Sequence, residues 1–152
     1  MGTLYEEDLA AWAQAQAKAL REAARARWNL PVEIDWENVA EEIEALARSE
    51  RRELRSRLFR LLAHLLKWRH QPGKRTRSWR LTIDDQRREI GVVLEESPSL
   101  RASLSETFAR AYDAARERAA LETGLPLSSL PEACPFSLED ALDPSFWPEP
   151  AR

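Results

Sequence analysis

The chain has 152 residues, 43% of them apolar and 32% charged, the make-up of one ordinary globular domain, so a second large domain is not expected. A lone cysteine, Cys134, excludes an intrachain disulfide and any metal site built on paired thiolates; the four glycines form neither of the two common phosphate-cradling loops. The formal charge of −3 hides a segregation, with −6 over residues 1–47, +10 over 48–88 and −7 over 89–152.

Acidic Glu6, Glu7 and Asp8 stand where a secretory signal needs positive charge, and no apolar run approaches the roughly 20 residues that span a bilayer. The expectation is a cytoplasmic protein. Thr3 and Glu6 fit a capping box, and Tyr5, Leu9, Trp12, Leu20 and Ala23 follow at helical spacing, predicting a first helix over about 4–27. Asn29 and Pro31 end it, and Asp35 is placed to cap a second helix. From Trp36 to Trp68 apolar positions keep the helical period with no Gly or Pro until Pro72. That predicts one long helix, or two collinear ones broken near Ser49. Gln71-Pro72-Gly73-Lys74 is a turn, and Trp79, Ile83, Ile90, Val93 and Leu94 mark a third helix, with Gln86 as a polar exception on its apolar face. Ser97-Pro98 supplies a cap and first-turn proline for a fourth helix, which Gly124 ends.

Six prolines between 126 and 150 rule out regular helix beyond Leu125, yet Leu130, Phe136, Leu138, Phe146 and Trp147 are too apolar for a free tail. Residues 125–152 are therefore expected to form an arm packed on the core, with Ser137 capping one short helix and Asp143-Pro144 starting another turn. The expected fold is all-α: a single domain over 1–152, with four antiparallel helices in 4–124 and the Pro-rich C-terminal arm.

Several runs together resemble one known family. They are Tyr5-Glu6-Glu7-Asp8 with Trp12, the Asp35 to Glu44 stretch, Ser49-Glu50-Arg51-Arg52, His64 to Trp68 with Gln71-Pro72, Arg77 to Ile83, Glu95 to Leu100, Thr123 to Pro126, and Cys134-Pro135-Phe136 with Phe146-Trp147-Pro148. The chain is similar over nearly its whole length to the bacterial domain of unknown function 29 family, frequent in cyanobacteria. Ala47 stands where that family often carries Gly, which favours a continuous helix. The resemblance implies an all-helical bacterial protein and no particular chemistry.

Glu37, Glu41 and Glu44 share one helix face, but neither His64 nor His70 has a Glu three residues before it, so a di-iron pattern is incomplete and a solvated acidic face is the simpler reading. No metal and no cofactor are expected. His64 and His70 are too far apart around a helix to chelate jointly, and no G-x-S-x-G accompanies them, so hydrogen-bonding roles at the core edge are favoured over catalysis. The +10 segment offers Arg51, Arg55, Arg69, Lys74 and Arg75 as a candidate polyanion-binding set, against the simpler reading of neutralisation by the acidic flanks. Glu50 interrupts an apolar stripe and needs a partner; Arg77 or Arg80 is expected to supply it, with Gln86 completing a polar layer. The functional expectation is a non-catalytic interaction or scaffold module, with self-association or a protein partner. The alternatives are nucleic-acid association through 51–80 and an enzyme with a polar pocket near Glu50 and His64. An exposed Trp28, Trp36 or Trp147 would mark an interface.

Overall fold

In a computed structural model the described residues are 2–26 and 29–152, and helices account for their regular structure, with no β-strand among them. Trp28 lies outside the described residues. The α-helices are α1 (Leu4–Glu7), α2 (Leu9–Arg25), α3 (Trp36–His70), α4 (Arg77–Glu96), α5 (Leu104–Thr123) and α6 (Leu138–Leu142). Short 3-10 turns fill Pro72–Lys74, Pro98–Ser103 and Leu127–Ser129.

Two predicted boundaries change, each for a hydrogen-bonding reason. The expected first helix is divided at Asp8, whose extended backbone closes α1 while its carboxylate accepts the Ala11 N–H at 2.9 Å and caps α2. The expected fourth helix begins at Leu104, not after Ser97. Ser97 is fully buried and its hydroxyl is engaged by the Ala10 N–H in the first turn of α2 and by Glu50, so it does not cap a helix of its own and Pro98–Ser103 stays a 3-10 turn. By contrast α3 is unbroken through Ser49 and Glu50, as the alanine at 47 favours. Gly124 ends α5 in the left-handed region (φ 73°), where a glycine has no Cβ penalty.

The chain divides into two compact units, residues 1–53 with 93–101 and residues 54–92 with 102–152. The first is built on small side chains. Ala10, Ala13 and Ala17 of α2 and Ala40 and Ala47 of α3 are buried, joined by Val93, Leu94 and Leu100. Arg21 of α2 binds Glu41 and Glu44 of α3, while Ser97 links Ala10 at the start of α2 to Glu50 farther along α3. These links fix α2 and the N-terminal half of α3 in opposite directions. The Tyr5 and Trp12 rings meet edge to face at 4.8 Å between centroids.

The second unit carries the larger core. Leu54, Leu58, Leu61, Leu62, Leu65 and Leu66 line one side of α3 and are almost wholly buried, against Ile83 and Ile90 from α4 and Phe108, Ala111, Tyr112, Ala115 and Ala119 from α5. Truncating one such leucine to alanine costs about 2–5 kcal/mol in cores of this kind. Lys67 over the Trp79 ring and Arg57 beside Gln86 and Glu89 show that α3 and α4 run antiparallel here. The C-terminal segment adds Leu130, Phe136 and Ala141 to the same core. No helix is long and apolar enough to cross a membrane among the described residues.

Candidate functional site

The residues singled out by the sequence divide between the two units. In the first, Glu50 is half-buried and its Oε2 accepts the Ser97 hydroxyl at 3.3 Å, while Ser97 Oγ accepts the Ala10 N–H at 3.2 Å. The expected arginine pair is not formed. Gln86 belongs to the second unit, buried, with Arg57 donating to it at 3.5 Å; Arg80 lies over the Trp147 ring and Arg77 is exposed. No hydrogen bond joins Glu50 to Gln86, Arg77 or Arg80 among the described residues. A hydroxyl satisfies Glu50 because the 97–100 turn, not a basic helix, faces it.

Without a cation, burial pushes the Glu50 carboxyl above its ordinary range; the Ser97 hydrogen bond opposes this, and Glu53 and Glu96 add to it. A raised carboxyl favours the protonated group in the folded chain, so the ionised form works against folding above that pKa, and acidification through it relieves the cost. Glu50→Gln keeps an acceptor for Ser97 and removes the charge. After allowance for solvent screening at this half-exposed site, it should raise stability at pH 7 by a few tenths to about 1 kcal/mol, with the gain shrinking as the pH falls. Urea denaturation of both proteins between pH 4 and 8 checks the sign and the trend.

The acidic trio on α3 is partly occupied. Arg21 bridges Glu41 and Glu44, Arg48 reaches Glu41 at 2.7 Å, and Glu37 is exposed. Arg21 holds the Glu44 carboxyl below its usual range through their hydrogen bond.

The basic candidates separate by role. Arg51, Arg55 and Lys74 are exposed, whereas Arg69 and Arg75 are half-buried in the second unit. Arg75 donates to the carbonyls of Trp68 at 2.9 Å and Pro148 at 3.4 Å and stacks on Trp68, so its guanidinium is committed to the C-terminal arm. Arg69 has a buried Nε without a partner, and its carbonyl accepts the Ala151 N–H. Of the five side chains, three are exposed and only Arg75 is committed to protein acceptors among the described residues.

A residue that sequence reasoning passed over holds the arm most firmly. Arg87, 6% exposed, donates from Nε to the Ala141 carbonyl and from Nη2 to the Phe146 carbonyl, both at 2.8 Å. Its guanidinium also faces the Trp147 ring, which packs on Trp68 at 4.7 Å. Trp147 and Trp36 are both half-buried. Burial lowers the Arg87 pKa, with Asp84 and Asp143 opposing, yet the group stays charged at neutral pH. The signal was present, since 83, 87, 90 and 94 share the apolar face of α4.

One cavity gathers groups capable of chemistry. About 480 Å³ in volume, it is lined by Ser56, Arg60, His64, Thr82, Arg118 and Glu122 with Phe59 and Ala63. His64 Nδ1 donates to the Arg60 carbonyl at 2.9 Å, which leaves Nε2 as the acceptor nitrogen, and burial holds the ring below its ordinary pKa and so neutral at pH 7. Glu122 accepts from buried Lys67 at 2.8 Å and from Arg118 at 2.6 Å. Its pKa is lowered, chiefly by the Lys67 bond. The ensemble can accept a proton and attract an anion, but no hydroxyl or thiol hydrogen-bonds to His64 among the described residues, so no base-activated nucleophile is assembled. Cys134 is half-buried and burial raises its pKa, which keeps it a thiol. Glu50 is not among the residues around this cavity.

Helices throughout the described residues and a C-terminal segment held by Arg87 place the chain among all-α proteins. The chain belongs to the family described as Domain of unknown function DUF29, which matches residues 4–147, in agreement with the resemblance drawn from the sequence. A solved alpha-helical protein of unknown function from Rhodospirillum rubrum is similar, at 28% identity and a TM-score of 0.73, covering 96% of this chain and 93% of that one. No curated protein matches the chain.

Proposed function

We propose that the protein is a non-catalytic interaction module that works by self-association through the N-terminal half of α3. The observation that carries this reading is the exposure of large apolar side chains in the first unit: Val32 at 93%, Ile34 at 41%, Val39 at 39% and Leu46 at 43%. Val39 and Leu46 are two turns apart on one helix face, where two helices of adjoining chains pack. A second copy of this chain is the occupant that carries the same patch: a two-fold pairing buries Val39 and Leu46 of one copy against those of the other, while Glu41 stays with Arg21 and Arg48 of its own chain.

Sedimentation equilibrium tests the reading. The wild type is expected to dimerise at micromolar concentration. Leu46→Glu, at an exposed position that the monomer's core does not use, should raise the dimer dissociation constant at least about tenfold. A wild-type chain that stays monomeric at several hundred micromolar overturns the proposal, as does a dimer indifferent to Leu46→Glu.

A further inference from the structure

Beneath the C-terminal arm, in the second unit, lies a cavity of about 500 Å³ remote in composition from the one around His64. Its volume is in the range of sites that enclose small molecules. Phe136, Phe146 and a set of prolines form the apolar walls, while Arg69 and His70 bring the polar groups. Proline and aromatic side chains offer a dry, preformed surface that loses little side-chain entropy on binding.

The polar groups are not spent on the protein. Arg69 Nε and His70 Nε2 are buried with no hydrogen-bond partner. Neither residue's side chain makes a hydrogen bond or ion pair elsewhere among the described residues, so the accessible end of the Arg69 guanidinium, with its two amino groups, is left for a ligand. That end presents parallel N–H donors, the geometry that matches a carboxylate. A half-buried guanidinium with open donors is costly to keep in a fold without a compensating anion.

The charge around the cavity narrows the ligand further. Arg69 and Arg152 are positive, Glu149 is negative, and His70 is held neutral at pH 7 by burial and by the neighbouring Arg69 charge. The Glu149 carboxylate at the same cavity disfavours a multiply charged anion. We propose that this cavity binds a small monocarboxylate with a flat apolar body, its carboxylate on Arg69 and its body between Phe136, Phe146 and the prolines. The site is separate from the α3 surface invoked for self-association, and either proposal can fail without the other.

Benzoate is the probe, titrated into the full chain and followed by amide and side-chain NMR shifts, with benzyl alcohol and inorganic phosphate as comparison ligands. Saturable shifts at Arg69, His70, Phe136 and Phe146 are expected, with benzyl alcohol and phosphate each at least about tenfold weaker. Arg69→Gln should weaken benzoate about tenfold or more. Because Arg69 lies beneath the arm, Glu149→Gln serves as the second variant: it is exposed, leaves the fold intact and should tighten benzoate severalfold by removing a like charge. Absence of saturation up to about 10 mM overturns the proposal. So does phosphate binding as well as benzoate, or an affinity unmoved by both substitutions.

Discussion

Replacing Arg87 by methionine is expected to destabilise the chain by about 2–4 kcal/mol and to free the C-terminal arm before the helices unfold. The estimate follows from opposing terms. Two charge-assisted hydrogen bonds are lost, to the carbonyls of Ala141 and Phe146, each worth roughly 1.5–3 kcal/mol, and both carbonyls lose their guanidinium donors. Against this, methionine matches the length of the arginine stem and removes a desolvated charge whose Nη1 is itself buried without a partner. The hydrogen-bond loss wins because the guanidinium serves two carbonyls at once and also faces Trp147. Lysine at 87 should recover less than half of the loss, since one ammonium cannot span two carbonyls that a planar fork reaches together. Denaturant melts give the magnitude. Limited proteolysis locates it: cleavage between about 131 and 150 should accelerate while cleavage within α3 does not.

The arm's dependence on Arg87 also marks where sequence reasoning stops. The composition of 125–152 identified a segment that had to pack, because its aromatic and leucine side chains outnumber what a solvated tail carries. Its anchor was not identified, because a periodic pattern tells which face of a helix is covered and not by what. Glu50 illustrates the same limit. Its place on the apolar stripe of α3 marked it as half-buried, a local property, but its partner Ser97 lies 47 positions away and resembles a helix cap in sequence. The span of the long helix was legible, since a helical period and the absence of Gly and Pro are statements about neighbours in the chain, but its continuity was not, because Glu50 interrupts the stripe and left a break near Ser49 open. The arginine-rich segment was the least legible part. Arg51 and Arg75 look alike in sequence, yet one is exposed and the other is fastened to the arm by carbonyls from α3 and from Pro148.

Asp8 poses the sharper test of how the first unit is held, because one small carboxylate carries three of its hydrogen bonds. Oδ1 accepts the Ala11 N–H and the Ser99 hydroxyl, both at 2.9 Å, and Oδ2 accepts the Ser99 N–H at 2.6 Å. The first bond caps α2, and the other two tie the 98–100 turn to that cap. Asp8→Ala should therefore cost about 2–4 kcal/mol, combining roughly 1 kcal/mol for a lost N-cap with charge-assisted bonds of about 1.5–3 kcal/mol that do not add in full. Asp8→Asn separates the contributions. Its single carbonyl oxygen can still accept from Ala11 and from the Ser99 hydroxyl, but its amide would set a donor against the Ser99 N–H, so the loss should be intermediate. Ser99→Ala removes only the hydroxyl bond and should cost least, about 1 kcal/mol. Losses in urea melts that decrease in the order Asp8→Ala, Asp8→Asn, Ser99→Ala, with hydrogen-exchange protection at Ala11 and Ser99 falling together in Asp8→Ala, establish the carboxylate as the joint between α2 and the turn. If protection at Ala11 falls while Ser99 is unchanged, Asp8 is a helix cap and nothing more.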